Sequence, residues 1–263
     1  MDNSVDKCIT WGIFARKCVV FCRIVLKKAG WGVEMLFVLN SRKLFVVLAL
    51  LCALQLTLTV YLYFSSSGNV TSLLDYTVVI DAGHGGVDAG VTGVNGTKES
   101  HLNLVYSKQL GQLFSQCGFN VVYTRTDENG LYGLPTQGFK MRDMNKRMEI
   151  INESEADIVI SVHMNKYSSD YRTGAQVFFQ KGSEAGQLLA NSIQQYVNRL
   201  NSRNLESIAG DYFITRESNC VGVIVECGFL SNASEEEKLN TPQHQQQLTN
   251  AIFCGVMMYL YSL

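Results

Sequence analysis

The sequence predicts an α/β domain on a mixed, largely parallel sheet with helices on both faces, plus an N-terminal transmembrane helix. Three observations predict this. From about Tyr76 to the end, strand-like runs alternate with amphipathic helix-like segments. Several of those runs (Val78-Val79-Ile80, Ile158-Val159-Ile160, Val223-Ile224-Val225) are apolar on both faces, as strands covered on two sides must be. Leu44 to Phe64 is a continuous apolar stretch broken only by Gln55, Thr57 and Thr59.

Composition sets the bounds. A chain of 263 residues holds one ordinary domain plus an appendage. A net charge of -1 and a pI near 6.4 give no nucleic-acid footprint. Eight cysteines (Cys8, Cys18, Cys22, Cys52, Cys117, Cys220, Cys227, Cys254) contain no C-x-x-C pair. Buried free thiols are expected rather than a disulfide framework or a zinc knuckle.

Residues 1–43 carry Lys17, Arg23, Lys27, Lys28, Arg42 and Lys43 among scattered aromatics. No fold is expected there, and Met35 begins a more conventional leader. The run 44–64 is long enough, at 1.5 Å per residue, to cross a bilayer core of roughly 30 Å. It lacks the periodic polar face of a buried core helix. Arg42 and Lys43 precede it, and the next basic residue after it is Lys98. The positive-inside rule then places the amino end in the cytoplasm and the remainder outside. Ser65-Ser66-Ser67-Gly68 is not an A-x-A cleavage site, so an uncleaved signal anchor is expected. Residues 65–75 read as a polar linker and 76–263 as the soluble domain.

Within that domain the first strand, around Val78 to Ile80, runs into the turn Asp81-Ala82-Gly83-His84-Gly85-Gly86. Leu102, Val105, Leu110, Leu113, Phe114 and Cys117 then share a helical face over Lys98 to Cys117, stopped by Gly118. A strand follows at Phe119 to Thr124 and a polar helix at Arg142 to Ser154. A second buried strand spans Asp157 to His163, and a more alternating one Gly174 to Gln180. Ala185 to Leu200 reads as a long amphipathic helix. Val221 to Cys227 is the third buried strand, and Leu248 to Leu260 lines a closing helix.

In open α/β sheets, ligands bind beyond the carboxyl ends of the strands. The three most buried strands end at His84, His163 and Glu226. Glu99, in the first turn of the following helix, can fold back to the same edge. Two histidines and a carboxylate with a fourth position open form a catalytic zinc set, and a second carboxylate can move protons. That is equipment for amide hydrolysis. Taken alone, Glu99 is a helix-start carboxylate and His163 a strand-end histidine. Glu226 is harder to set aside, because burying an unpaired carboxylate costs several kcal/mol. His101, two residues along the helix from Glu99, faces away. His244, in a glutamine-rich stretch, is expected to be solvated.

With these residues in place the chain resembles the zinc-dependent N-acetylmuramoyl-L-alanine amidases of the type 3 family, over roughly Thr77 to Leu260. The motifs occur in order: Asp81 to Gly86, Lys98-Glu99 with Asn103, Arg147 with Asn152, Ala156-Asp157, Ser161 to Asn165, and Val225 to Asn232. The resemblance implies that His84, Glu99 and His163 hold zinc and that Glu226 is the catalytic glutamate. The implied reaction is hydrolysis of the amide joining the muramic acid lactyl group to L-alanine in peptidoglycan. Asn165, Asp88, Asn103 and Arg216 are candidates for orienting substrate or supporting the ligands. Ala82 stands where many members have proline, Ser100 replaces a common lysine, and Cys220-Val221 lies where a proline often precedes the last strand. A single anchor and no wall-binding repeat suggest the sporulation branch. The expected partners are peptidoglycan and the membrane through residues 44–64, with an activating protein unidentified. The alternatives are a zinc peptidase of peptidoglycan crosslinks and a non-catalytic wall-binding regulator.

Overall fold

The computed structural model describes residues 76–263 in full. Before them it describes the backbone of 6–14, 19–28 and 31–40 and of the helix 41–66, with side chains from 45 to 62. The chain divides into two compact units, Met1–Asn69 and Val70–Leu263.

In the first unit, β1 (Asp6–Phe14), β2 (Val19–Lys28) and β3 (Trp31–Asn40) form an antiparallel sheet in that order. The sequence reading expected no fold there. Its basic residues drew attention away from Val19-Val20-Phe21 and Ile24-Val25-Leu26, whose β-branched and aromatic side chains suit strands. Helix α1 (Ser41–Ser66) follows. Its window Phe45–Leu62 has a mean hydropathy of 2.3, long and apolar enough to cross a membrane. Thr57 and Thr59 return their hydroxyls to the carbonyls of Leu54, Gln55 and Leu56, which removes most of their polarity from the helix surface.

The second unit is a mixed α/β fold. Its strands are β4 (Thr77–Ala82), β5 (Asn120–Tyr123), β6 (Ile158–Asn165), β7 (Gln176–Gln180), β8 (Ile208–Gly210) and β9 (Val221–Phe229). They form one sheet of order β5-β4-β6-β9-β7-β8. The first four run parallel, while β7 is antiparallel to β9 and parallel to β8. The helices are α2 (Glu99–Gln116), α3 (Phe139–Glu153), α4 (Glu184–Val197), α5 (Phe213–Glu217), α6 (Ala233–Leu239) and α7 (Pro242–Tyr261).

The period-two alternation of the strands sorts the core into two layers. Val78, Ile80, Ile160, Val162, Val223 and Val225 pack with Leu102 and Phe114 of α2, Leu189 and Ile193 of α4, and Ile252 and Val256 of α7. Val79 and Val159 face the other way, onto Met148 and Ile151 of α3 and Ile214 of α5. Helices therefore cover both faces, and the second layer is much the thinner.

Differences from the sequence reading concern short elements and surface placement. In the second unit three elements were not anticipated: β8, α5 and α6, each too short to show a period. Helix α3 begins three residues earlier than expected. Cys227 is a buried free thiol, but Cys117 and Cys254 are free and exposed, on the outer sides of α2 and α7. His244 is buried, not solvated. It sits in the first turn of α7, where Thr241 Oγ1 accepts from its backbone N–H and the turn packs inward.

Candidate active site

Because β4, β6 and β9 are parallel, their carboxyl ends open on one edge. Alternation then decides which side chains meet there. Val162 and Val225 point into the thick core layer, so their neighbours His163 and Glu226, register partners across β6 and β9, point to the opposite face. Strand β4 stops at Ala82, the Gly83 N–H donates to Val162 O (3.1 Å), and the chain turns at His84 with φ of 60°. This is a left-handed conformation that histidine adopts more readily than most residues. The imidazoles of His84 and His163 lie 5.1 Å apart, edge to face.

Glu99 opens α2 and brings its carboxylate between the two rings. Its Oε1 is 3.3 Å from His84 Nε2 and 3.0 Å from His163 Nδ1. One donor atom from each of the three lies within 4.8 Å of the others, the only such group of metal-type side chains among the described residues. Donors about 2.0–2.1 Å from a tetrahedral metal stand about 3.4 Å apart. The spacing and the nitrogen–nitrogen–oxygen set both fit a small divalent cation.

Two glycines make room for this cluster. A Cβ on Gly83 would lie 2.2 Å from His163 Cε1, and one on Gly90 would lie 2.4 Å from Glu99 Oε2. Around them is a set of fixed partners. Asp88 Oδ2 is 3.0 Å from His84 Nδ1, which leaves Nε2 to face the donor cluster. Glu99 accepts from the N–H groups of Val91 (2.7 Å) and Met164 (3.2 Å), and Asn103 Nδ2 donates to Gly83 O. Buried Arg147 donates to Asp81 and Asp143 (2.6 Å each) and to the carbonyls of Ala82 and His84. Arg125 donates to Ala82 O, Gly83 O and Ser100 O. Two guanidinium groups thus pin the turn that carries His84. Glu236 accepts from Asn95 and Thr97, steadying the loop that leads into Glu99.

The electrostatics follow from these contacts. Burial alone would raise the Glu99 pKa, but the hydrogen bonds and charges of His163 and His84 hold it well below the carboxylate range. Asp81 is likewise buried, yet Arg147, Ser161 and Thr124 bring it to about 2. Glu226 goes the other way: burial lifts it to about 7, with His163 opposing. Its Oε2 is buried with no hydrogen-bond partner among the described residues. A cleft of about 360 Å³ joins His84, His163 and Glu226, bounded by Asp88, Lys140 and Arg147 on one side and by Tyr212, Phe213, Ile214 and Ile224 on the other.

The structure thus brings together His84, Glu99, His163 and Glu226, with Asp88 and Asn103 against them. It does not bring Arg216 or Asn165 to the cleft. Arg216 is exposed on α5 and paired with Asp211 and Glu217. Asn165 spends its side chain on the Lys166 N–H and its carbonyl on Leu230. His101 does face away, pairing with Glu128 on the surface. Sequence reasoning missed the roles of Asp81, Arg125 and Arg147. The available signal was Arg147 itself, a charge at helical spacing on the side of α3 that also carries Met144, Met148 and Ile151.

A family profile described as N-acetylmuramoyl-L-alanine amidase matches residues 78–257, which include His84, Glu99, His163 and Glu226. The chain belongs to this family of amidases. As such it is a peptidoglycan hydrolase acting on the amide between N-acetylmuramic acid and L-alanine. The germination-specific N-acetylmuramoyl-L-alanine amidase of Bacillus subtilis is 30% identical to this amidase, over 69% of the chain and 78% of the relative. The amidase AmiA of Escherichia coli is 24% identical, over 70% and 76%. Among solved structures, the CwlD amidase of Clostridioides difficile in complex with the GerS lipoprotein superposes with a TM-score of 0.69. It shares 31% identity and covers 72% of this chain and 100% of its own. The catalytic domain of CwlV from Bacillus (Paenibacillus) polymyxa gives 0.63 at 27% identity, covering 71% and 98%.

Proposed function

We propose that this chain is a zinc-dependent, membrane-anchored amidase in which His84, Glu99 and His163 hold the metal and Glu226 is the catalytic acid–base. The observation that carries this reading is a Glu226 Oε2 without a hydrogen-bond partner among the described residues, in the cleft lined by the two histidines that converge with Glu99. When bound, zinc supplies Lewis acidity, polarising the scissile carbonyl and acidifying water at neutral pH. The chain's own residues do the rest. Glu226 takes a proton from the attacking water and passes it to the departing L-alanine amine. A carboxylate poised near neutrality suits both halves of that transfer. Asp88 fixes the ring of His84, and Tyr212, Phe213, Ile214 and Ile224 bound the cleft beside Glu226.

The anchor is residues 44–64, with the domain from about Tyr76 held outside the membrane on the wall side. Likeness to the germination-specific amidase of Bacillus subtilis supports action on spore-cortex peptidoglycan. The Clostridioides CwlD complex with a lipoprotein supports a protein partner of similar kind here.

The test is digestion of purified sacculi with mass analysis of the fragments. The expected product has a new L-alanine amino terminus, and a chelator abolishes its release. Glu226→Gln should lower turnover by about 10²–10⁴-fold while retaining zinc. A product that keeps muramoyl-alanine intact would instead indicate a crosslink peptidase. Unimpaired turnover in the variant would remove Glu226 from the mechanism.

A further inference from the structure

Two cations line the cleft, and they are unlike. Arg147 is buried, and its guanidinium is spent on Asp81, Asp143 and two main-chain carbonyls. Lys140 has a side chain 66% exposed, and its one polar contact among the described residues is Asp88 Oδ1 at 3.1 Å. That oxygen is not needed for the ligand sphere, because Asp88 holds His84 through Oδ2. Lys140 also sits in the first turn of α3, a turn without an acidic residue. There the positive end of the helix dipole disfavours a cation, so helix stability does not account for it.

Its position within the cleft is directional. Asp88 and Lys140 lie at the β4 end of the donor row. The opposite end, beyond β9, is walled by Tyr212, Phe213, Ile214 and Ile224, none of them charged. Asp88 places negative charge at the β4 end of the cleft, and an anionic substrate group entering there needs a mobile cation to meet its charge. Peptidoglycan stems are anionic: where the second residue is γ-linked glutamate, its α-carboxylate lies one residue from the scissile amide.

Resting on the amidase reading, we infer that Lys140 is a specificity-determining residue that binds a stem-peptide carboxylate. It exchanges Asp88 for the substrate and orients the peptide toward the β4 end of the cleft. The long, freely rotating lysine stem allows that exchange, whereas a buried guanidinium such as Arg147 cannot leave its partners.

The experiment uses the full-length protein in detergent and two muropeptides differing only in whether that α-carboxylate is free or amidated. The wild type should favour the free acid about fivefold in kcat/KM, mainly through KM, and the preference should shrink at high salt. Lys140→Met should bring the ratio of the two substrates close to one with zinc content unchanged, and Lys140→Arg should restore most of the preference. No wild-type preference, or an equal loss on both substrates in Lys140→Met, would overturn the inference while leaving the amidase reading intact. Failure of the wild type to free an L-alanine amine from either substrate would overturn that reading and this inference with it.

Discussion

A methyl group on Gly83 would land 2.2 Å from Cε1 and 2.3 Å from Nε2 of His163. Nothing else in the turn can give, because the Gly83 carbonyl is held by Asn103 and Arg125 and its N–H by Val162. The ring must therefore move off the donor cluster. Gly83→Ala is expected to bind zinc about 10–100-fold more weakly, with activity falling in parallel and the thermal midpoint little changed. Competition with a chromogenic chelator measures this, and wild-type affinity would show that the ring has room the geometry denies it. The two histidine donors were legible in the sequence, since each stands at or just past the end of an apolar run, and Glu99 was legible as a carboxylate in the first turn of the helix that follows. The Arg125 and Arg147 clamp was not. Apart from Asp143 and the Asp127 carbonyl, it binds groups remote in sequence, 66 residues away for Asp81, and no local pattern encodes such pairs.

At the scale of elements, length governed what could be read. The long amphipathic helices and buried strands carry enough residues to show a period, whereas α5 has five and β8 three. The consequence is larger than their size: α5 supplies Phe213 and Ile214 to the cleft, so half of one wall was invisible to periodicity. The start of α7 misled for a different reason. Its glutamine-rich composition suggested solvent, but the turn packs inward and buries His244, whose Nδ1 has no partner among the described residues. Burial, with Lys238 adding to it, lowers the His244 pKa from 6.5 to about 4. The unfolded chain then binds a proton near pH 6.5 that the folded one refuses. Stability supplied by neutral His244 is complete above that pH and is lost as pH falls toward 4. By pH 4.5 the loss should reach about 2–3 kcal/mol. Urea midpoints of the wild type and His244→Leu from pH 7.5 to 4.5 check this. The leucine variant should show a shallower fall, and parallel curves would assign the acid sensitivity to other groups.

For the whole molecule, the proposed anchored reading requires the Val70–Leu263 unit to lie outside the membrane while its synthesis begins inside. The charge pattern supports that orientation: Arg42 and Lys43 flank the amino side of the apolar window, and no basic residue follows it until Lys98. Two exposed thiols allow a direct test. Cys117 at the end of α2 and Cys254 on α7 are both free and open to solvent, whereas Cys52 lies within the apolar window and would be shielded by lipid. On intact spheroplasts, a membrane-impermeant maleimide should label a variant retaining only Cys117 as fully as it does after permeabilisation. A variant retaining only Cys8 should react after permeabilisation alone. The reverse pattern would place the amidase unit in the cytoplasm, away from any wall, and no arrangement of His84, Glu99 and His163 could then reach peptidoglycan. Loss of Cys117 protein from the membrane pellet with labelling intact would mean that the apolar run is removed as a leader. The Val70–Leu263 unit would lie outside in that case too, because the same charges direct either outcome.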